Sequence, residues 1–255
     1  SVFNGTEALA MGTVIGSNIS NIALIFGVSC IGVSMRPAKT NLVQFIPFAI
    51  AAIILGLVLL DLKITVIEGW VLLIIFALFI FITYQYRGSK VDDQIQESTT
   101  GTITILLYLT VGLLALIGGS NFAVIHAEKI AYILNVPQLI IGLTIIALGT
   151  SLPELAATIS AIMKNKNDMV IGNVIGSNVM NIALVLPIIG FFSNTSFDST
   201  VLSRDYFVML IATILFVLLA ATYSSNKINL KFIRFVGCIF VAGYIGYILN
   251  LSNLI

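Results

Sequence analysis

The chain has 255 residues, of which 59% are hydrophobic and only 9% are charged, and its formal net charge is +1. Soluble domains carry about 25% charged residues, so this composition excludes a water-soluble protein. Nucleic-acid binding requires an excess of positive charge that this chain lacks. The apolar residues gather into runs close to the roughly 20 residues that a helix needs to cross a bilayer. The sequence therefore predicts an all-α, polytopic protein of the lipid bilayer.

Apolar runs separated by polar breaks predict eight transmembrane helices. In chain order they are residues 8–33, 42–60, 64–86, 102–125, 138–163, 169–192, 206–223 and 232–251. The fourth is expected to continue past Asn121 as an amphipathic stretch toward Leu134 that contains His126, Glu128 and Lys129. We assign His126, the single histidine, a surface or interfacial role. Cys30 and Cys238 lack any metal-binding spacing and are interpreted as packing residues.

A polar linker divides the chain into two halves. Residues 87–101 separate a first half of three helices, residues 1–86, from a second half of five, residues 102–255. Nine of the twelve Lys and Arg residues fall in loops on the linker's side of the bundle, and three fall on the other side. Because short cytoplasmic loops collect positive charge, we expect the linker to be cytoplasmic and both termini to lie outside the plasma membrane.

Two segments of the chain repeat each other at a constant offset of 160 positions. Residues 11–27 read MGTVIGSNISNIALIFG, and residues 171–187 read IGNVIGSNVMNIALVLP. Helix packing alone would explain the shared glycines but not three shared polar positions. The second copy lies five helices after the first, so the two copies cross the membrane in opposite directions. Such inverted-topology repeats are typical of transporters whose ion site lies near the membrane midplane.

Each copy carries a polar stripe whose members are four residues apart and therefore share a helix face. The stripes are Thr13, Ser17 and Asn21 in the first copy and Asn173, Ser177 and Asn181 in the second. Their hydroxyl and amide oxygens are hard donors, suited to Na⁺, Ca²⁺ or Mg²⁺. Beside the second stripe, Gly172 and Gly176 form a groove that permits close helix approach.

Glu154 is the one acid that falls in the middle of a predicted helix. Intramembrane carboxylates are costly and usually belong to ion or proton pathways, although a protonated structural role is the alternative. Pro153 lacks an N–H and crowds the carbonyl of Gly149, so we expect a broken turn whose freed carbonyls a cation could satisfy. One helix face combines this turn with Ala147, Thr150, Ser151 and Glu154.

The offset of 160 would put the counterpart of Glu154 before residue 1. The first predicted helix also lacks the partner helix that precedes the second copy. We therefore expect ten helices in the intact protein, two of them ahead of this sequence.

These motifs resemble a known family. GTSLPE at residues 149–154, followed by GNVIGSN at 172–178 and Asn181, resembles the second alpha-repeat of sodium/calcium exchangers in the calcium:cation antiporter superfamily. Residues 12–21 resemble the second half of the first alpha-repeat. The resemblance implies electrogenic exchange of several Na⁺ for one Ca²⁺ by alternating access, with no cofactor and no required protein partner.

The resemblance also implies ligand roles. Glu154 would bind both Ca²⁺ and Na⁺, and the Thr150 carbonyl would help to hold Ca²⁺. The flanking Na⁺ sites would be lined by Ala147, Ser151, Ser177 and Ser17. The central position would be bordered by Asn21 and Asn181. Two positions depart from the family pattern, since Asn181 stands where many members have Asp and Thr13 stands where Asn is common.

Other activities are weighed against Na⁺/Ca²⁺ exchange. H⁺-coupled cation exchange would use carboxylates alone, and would not need the hydroxyl and amide stripes. A cation channel would use broken helices in its filter, but channels usually surround a pore with repeated subunits. An intramembrane serine hydrolase would need a base beside its nucleophile, and His126 is the only candidate. We therefore expect a transporter rather than an enzyme.

Overall fold

The computed structural model describes residues 7–32, 42–86, 101–164, 166–193, 196–224 and 229–252. Within these ranges every regular element is helical, and eight helices are long and apolar enough to cross a membrane. In chain order they are α1 (Glu7–Gly32), α2 (Leu42–Asp61), α3 (Val66–Gln85), α4 (Ile103–Ile133), α5 (Gln138–Met163), α6 (Met169–Phe192), α7 (Val201–Thr222) and α8 (Leu230–Ser252). The predicted fold class and the eight helices are confirmed. The predicted linker lies outside the described residues except for Gly101.

The predicted extension of the fourth helix is confirmed. α4 is one unbroken helix of 31 residues that ends at Ile133, next to the predicted limit at Leu134. At 1.5 Å per residue its length is about 46 Å, well beyond the roughly 30 Å hydrocarbon core. Most of its side chains face away from the other helices, since only 6% of its most apolar stretch is buried. α4 therefore packs along the outside of the bundle and extends past the membrane at one end or both.

The start of α7 differs from the prediction. The helix begins at Val201, five residues before the predicted start, with a π-helical segment, Val201–Tyr206. The charges of Arg204 and Asp205 suggested a loop, yet Asp205 is fully buried. Its Oδ1 atom accepts hydrogen bonds from Arg204 Nε at 2.6 Å and from the Tyr247 hydroxyl of α8 at 2.9 Å, and its Oδ2 atom accepts one from Arg204 Nη2 at 3.1 Å. Because both oxygens have donors, the acid can be buried inside the helix.

α1 is the central helix of the bundle. In its most apolar stretch 83% of residues are buried, and the helix contacts α5, α6, α7 and α8. The polar stripe of the first repeat therefore lies inside protein rather than against lipid. A buried polar helix must find its hydrogen-bond partners in its neighbours.

Glycines bring α1 and α5 into backbone contact. A Cβ added to Gly12 would lie 2.6 Å from the Leu139 carbonyl oxygen, and one added to Gly142 would lie 2.5 Å from that of Leu9. No such approach occurs at the second copy's groove among the described residues. A Cβ at Gly172 would meet nothing within 4 Å, and one at Gly176 would meet only Phe79, at 4.0 Å. Among the described residues, the close helix contact is therefore made by Gly12 of the first copy.

This asymmetry gives a test of stability. Replacing Gly12 with alanine should push α1 away from α5 and lower the free energy of unfolding by about 1–3 kcal/mol. A lower midpoint of thermal unfolding in detergent would report this loss. Gly172→Ala is the matched control, because it occupies the equivalent repeat position and has open space. Equal midpoints for the two variants would contradict the close contact.

Candidate cation site

Hydroxyl groups of α1 and α5 meet at the centre of the bundle. Ser17 Oγ lies 3.1 Å from Thr150 Oγ1 and donates to the Ala147 carbonyl at 3.4 Å. One turn further along α1, Ser20 Oγ lies 3.1 Å from Ser151 Oγ. The structure therefore brings the first-repeat Ser17 together with two of the residues predicted on α5, Ala147 and Thr150, and it places Ser151 against Ser20.

The stripes of the two repeat copies meet through Asn21. Its Nδ2 donates to Ser177 Oγ at 3.1 Å and to Asn178 Oδ1 at 3.4 Å. Ser177 in turn donates to the Asn173 carbonyl at 2.8 Å. The two oppositely directed helices α1 and α6 thus share one polar contact, as the repeat predicted.

Glu154 lies at the edge of this cluster. The Asn173 amide of α6 donates to the Glu154 backbone carbonyl at 3.0 Å and to Thr158 Oγ1 at 2.9 Å, which fixes α5 against α6. The Glu154 side chain is half-buried and faces a groove of about 610 Å³ that is also lined by α4 and Asn173. Its Oε2 atom is buried and accepts no hydrogen bond from the described residues. This oxygen is therefore free to bind a cation or a proton.

The predicted broken turn beside Glu154 is confirmed. Ser151 forms a turn between two helical segments, Ala147–Thr150 and Leu152–Met163. Pro153 supplies no N–H to the Gly149 carbonyl, and the Ser120 hydroxyl of α4 donates to that oxygen instead. The Gly149 carbonyl thus has a donor from a neighbouring helix, and binding of a cation by the carbonyls of this turn stays a prediction.

The π-helical segments beside the polar stripes were not predicted from the sequence. They cover Ser20–Phe26 in α1, Asn181–Val185 in α6 and Gly142–Ile146 in α5. The first two begin within one residue of each other in the repeat alignment, at the stripe asparagines. π-helical turns are rare and concentrate at functional sites, so their recurrence here supports a common role for both copies.

Several polar residues of the cluster were missed. Asn178 has a signal in the sequence, because it pairs with Asn18 at the repeat offset. Ser20 has none, since its counterpart is Met180. Buried atoms without a hydrogen-bond partner among the described residues include the side-chain oxygens of Asn18 and Asn21. These carbonyl oxygens, like Glu154 Oε2, are acceptors that a cation would satisfy.

Asn181 is the predicted residue that the cluster does not include. Its side chain is half-buried at the start of a π-helical segment. The side-chain hydrogen bonds found among the described residues join Asn21 to Ser177 and Asn178 rather than to Asn181. Whether Asn181 is an ion ligand thus stays a prediction.

The chemistry of the cluster is that of hard oxygen donors. Hydroxyl, amide and carboxyl oxygens are present, and the described residues contain no group of three or more His, Cys, Asp or Glu side chains. This donor set fits alkali and alkaline-earth cations and is unsuited to soft metals.

Comparison with known proteins decides the family. The family model for sodium/calcium exchanger proteins matches residues 1–85 and 104–252. This chain belongs to that family. The protein is therefore an integral, multi-pass membrane protein, and its family and fold are those of ion-exchange transporters.

Individual relatives agree with this assignment. CaxA of Alkalimonas amylolytica is 34% identical over 255 residues, which cover 96% of this chain and 79% of that protein. The sodium/calcium exchanger MaX1 of Methanosarcina acetivorans is 40% identical over 114 residues, covering 45% of this chain and 33% of MaX1. The solved sodium-calcium exchanger NCX_Mj, soaked with Na⁺ and Sr²⁺, superposes with a TM-score of 0.75 at 29% identity. That match covers 97% of this chain and 78% of NCX_Mj.

The link between Asn173 and α5 can be tested by mutation. Asn173→Ala removes two donors and leaves the Glu154 carbonyl and the buried Thr158 hydroxyl without them, so unfolding should become easier by about 1–3 kcal/mol. Thermal unfolding in detergent measures the loss. Asn250→Ala, an exposed position on α8, is the control. A midpoint for Asn173→Ala as high as that of the control would mean that Asn173 does not hold the two helices together.

Proposed function

We propose that this protein is a secondary active antiporter that exchanges Na⁺ for Ca²⁺ by alternating access. The observation that carries the proposal is the meeting of Ser17, Ser20 and Asn21 with hydroxyls of α5 and α6, beside the unpartnered Glu154 Oε2. Oxygens from two oppositely directed repeats there lie within hydrogen-bond distance of one another. Such an arrangement replaces the water shell of a cation and can be approached from either side of the membrane.

Each predicted site residue has a role in this scheme. Glu154 is the charged ligand shared by Ca²⁺ and Na⁺, with the Thr150 carbonyl beside it. Weaker Na⁺ positions use the neutral oxygens of the Ala147 carbonyl and of Ser17, Ser151 and Ser177. The amides of Asn21, Asn173 and Asn181 border the central position and orient its ligands.

Exchange rather than leak follows from the cost of desolvation. An ionised Glu154 without a bound cation would carry uncompensated charge through a low-dielectric interior, which is strongly unfavourable. Reorientation is therefore favoured only when a cation is bound. Na⁺ and Ca²⁺ compete for the same carboxylate. Carrying one ion across the membrane therefore brings the site back to the side on which the other ion binds.

The topology proposed from the loop charges fits this scheme. Residues 1–86 and 102–255 act as the two halves, a cytoplasmic linker at 87–101 joins them, and the protein resides in the plasma membrane. Each half contributes one polar helix to the site. All proposed ligands belong to one chain, so exchange in this scheme requires no protein partner.

H⁺ coupling is the second candidate, and Glu154 Oε2 favours it too, because an unpartnered carboxyl oxygen can carry a proton. The hydroxyls and amides favour Na⁺, since proton transfer has no use for them. Replacing the driving Na⁺ gradient with a pH gradient in sodium-free vesicles separates these two mechanisms.

Glu154→Gln is the decisive variant. It keeps the size of the side chain and removes the negative charge, so Ca²⁺ uptake driven by a Na⁺ gradient into reconstituted vesicles should fall to the level of protein-free vesicles. The measurement is ⁴⁵Ca²⁺ flux. Asp61→Asn, which makes the same charge change at the exposed end of α2, should retain wild-type flux. Wild-type uptake by Glu154→Gln would remove this carboxylate from the mechanism.

A further inference from the structure

Ser20 belongs to the central cluster, but the scheme above gives it no role as a ligand. Its side chain is fully buried, and it begins the π-helical segment of α1, Ser20–Phe26. Its Oγ atom donates to the Ser17 carbonyl at 3.1 Å and lies 3.1 Å from Ser151 Oγ of α5. Ser151 is only 3% exposed. Because neither hydroxyl reaches bulk water, the protein decides where their protons lie.

The single proton of Ser20 fixes the direction of its bond to Ser151. A serine hydroxyl has one proton to donate and two lone pairs that accept. The Ser17 carbonyl can only accept, so the Ser20 proton lies between these two atoms. In the other contact Ser20 therefore accepts, and the Ser151 hydroxyl donates. Among the described residues, Ser20 Oγ is the acceptor found for the Ser151 proton.

The neighbouring contact between α1 and α5 follows the same rule. Thr150 Oγ1 donates to the carbonyls of Ile146 and Ala147, at 2.9 and 3.1 Å. Its proton is thus used within α5, so Ser17 donates to Thr150 Oγ1 at 3.1 Å, with the Ala147 carbonyl as a longer alternative at 3.4 Å. Ser17 of α1 and Ser151 of α5 therefore each direct a proton to the opposite helix.

This arrangement suits both serines to bind a cation. A hydroxyl binds a cation through a lone pair, and its proton must then lie on an acceptor away from the ion. In the described parts of the chain, the oxygens of Ser17 and Ser151 accept no hydrogen bond once their protons are placed in this way. Their lone pairs are therefore oriented before an ion arrives, which reduces the cost of binding it.

The second repeat copy shows that the Ser20 hydroxyl is not needed to shape the helix. Met180 occupies the equivalent position and has no hydroxyl. A π-helical segment nevertheless follows it directly, at Asn181–Val185. Serine hydroxyls often bond to a carbonyl of the preceding turn without further consequence. What distinguishes Ser20 is the contact that its oxygen makes with Ser151 on another helix.

We propose that Ser20 is a positioning residue for Na⁺, which accepts the Ser151 proton and so keeps the Ser151 lone pairs available to the ion. The inference rests on the proposed function, in which Ser151 is a Na⁺ ligand, and adds the residue that orients this ligand. Ca²⁺ is held in that scheme by Glu154 and the Thr150 carbonyl. Loss of the Ser20 hydroxyl should therefore weaken Na⁺ binding much more than Ca²⁺ binding.

Ser20→Ala tests this role. The variant removes the acceptor with little change in volume, so the Ser151 proton must turn toward another oxygen. The Na⁺ concentration for half-maximal binding should rise roughly three- to tenfold, while the corresponding Ca²⁺ concentration stays near the wild-type value. Each ion is titrated into the purified intact protein in detergent, with choline chloride keeping the ionic strength constant. Binding is followed by the midpoint of thermal unfolding, which rises when an ion binds the folded state.

Ser29→Ala is the matched control. Ser29 is also a buried serine of α1, and its hydroxyl donates to the Ile25 carbonyl of its own helix at 2.6 Å. Among the described residues its side chain makes no hydrogen bond to α5. Its affinity for Na⁺ should stay at the wild-type value. An equal loss of Na⁺ affinity in both variants would indicate a general loosening of α1 and would contradict a specific role for Ser20.

A double-mutant cycle separates positioning from packing. Ser151→Ala removes the oriented ligand itself, so adding Ser20→Ala to it should weaken Na⁺ binding no further. Additive losses would mean that Ser20 acts without Ser151, and would overturn the inference. If Ser20→Ala does not fold, Ser20→Cys takes its place in the same cycle. Its side chain is close to serine in size, and its sulfur is a weak acceptor.

The outcomes distinguish this inference from the proposed function, because ion binding is measured without transport. Wild-type Na⁺ affinity in Ser20→Ala, equal losses for Na⁺ and Ca²⁺, or a wild-type protein that Na⁺ does not stabilise each overturn the positioning role, even if Glu154→Gln abolishes exchange. A Na⁺ affinity that depends on Ser20 through Ser151, in a protein without Na⁺/Ca²⁺ exchange, supports the positioning role and refutes the proposed function.

Discussion

The structure depends on burying a polar helix at the centre of an apolar bundle. α1 brings two serines and two asparagines, all at most 3% exposed, into a region without bulk water. Each unpaired polar group there costs free energy, so neighbouring helices must supply partners at these depths. The hydroxyls of α5 and the serine and asparagine of α6 do so. The packing of α1 and the composition of the site therefore follow from one requirement.

That requirement is met incompletely. Side-chain oxygens of Asn18, Asn21 and Glu154 are buried without a donor among the described residues. A purely structural polar core would be expected to pair them, because a half-satisfied network destabilises the fold more than an apolar one. Buried acceptors without donors are instead what the proposed site for a transported cation requires. In that proposal, a bound ion would return the stability that the bundle loses in this way.

Much of this could be predicted from the sequence, because lipid leaves few choices. Only helices satisfy the backbone of a multi-pass chain of this kind, so hydropathy located all eight, and the repeat identified both polar stripes. Asp205 was misplaced because its burial depends on Tyr247, which is 42 residues away. Ser120 could not be linked to Gly149 for the same reason, since helix-to-helix contacts leave no local pattern. The π-helical segments also lack a sequence signature that hydropathy could detect.

The two repeat copies share a pattern without being equivalent, and the difference is greatest at one position. Thr13 in α1 bonds to its own helix at the Leu9 carbonyl. Its counterpart Asn173 donates to the Glu154 carbonyl and to Thr158, and so fills the space between α5 and α6. The longer amide side chain therefore links two helices, whereas the shorter hydroxyl side chain bonds within its own helix. The shared spacing sets which residues lie on one face of each helix, and the identity of each residue sets which neighbour it holds.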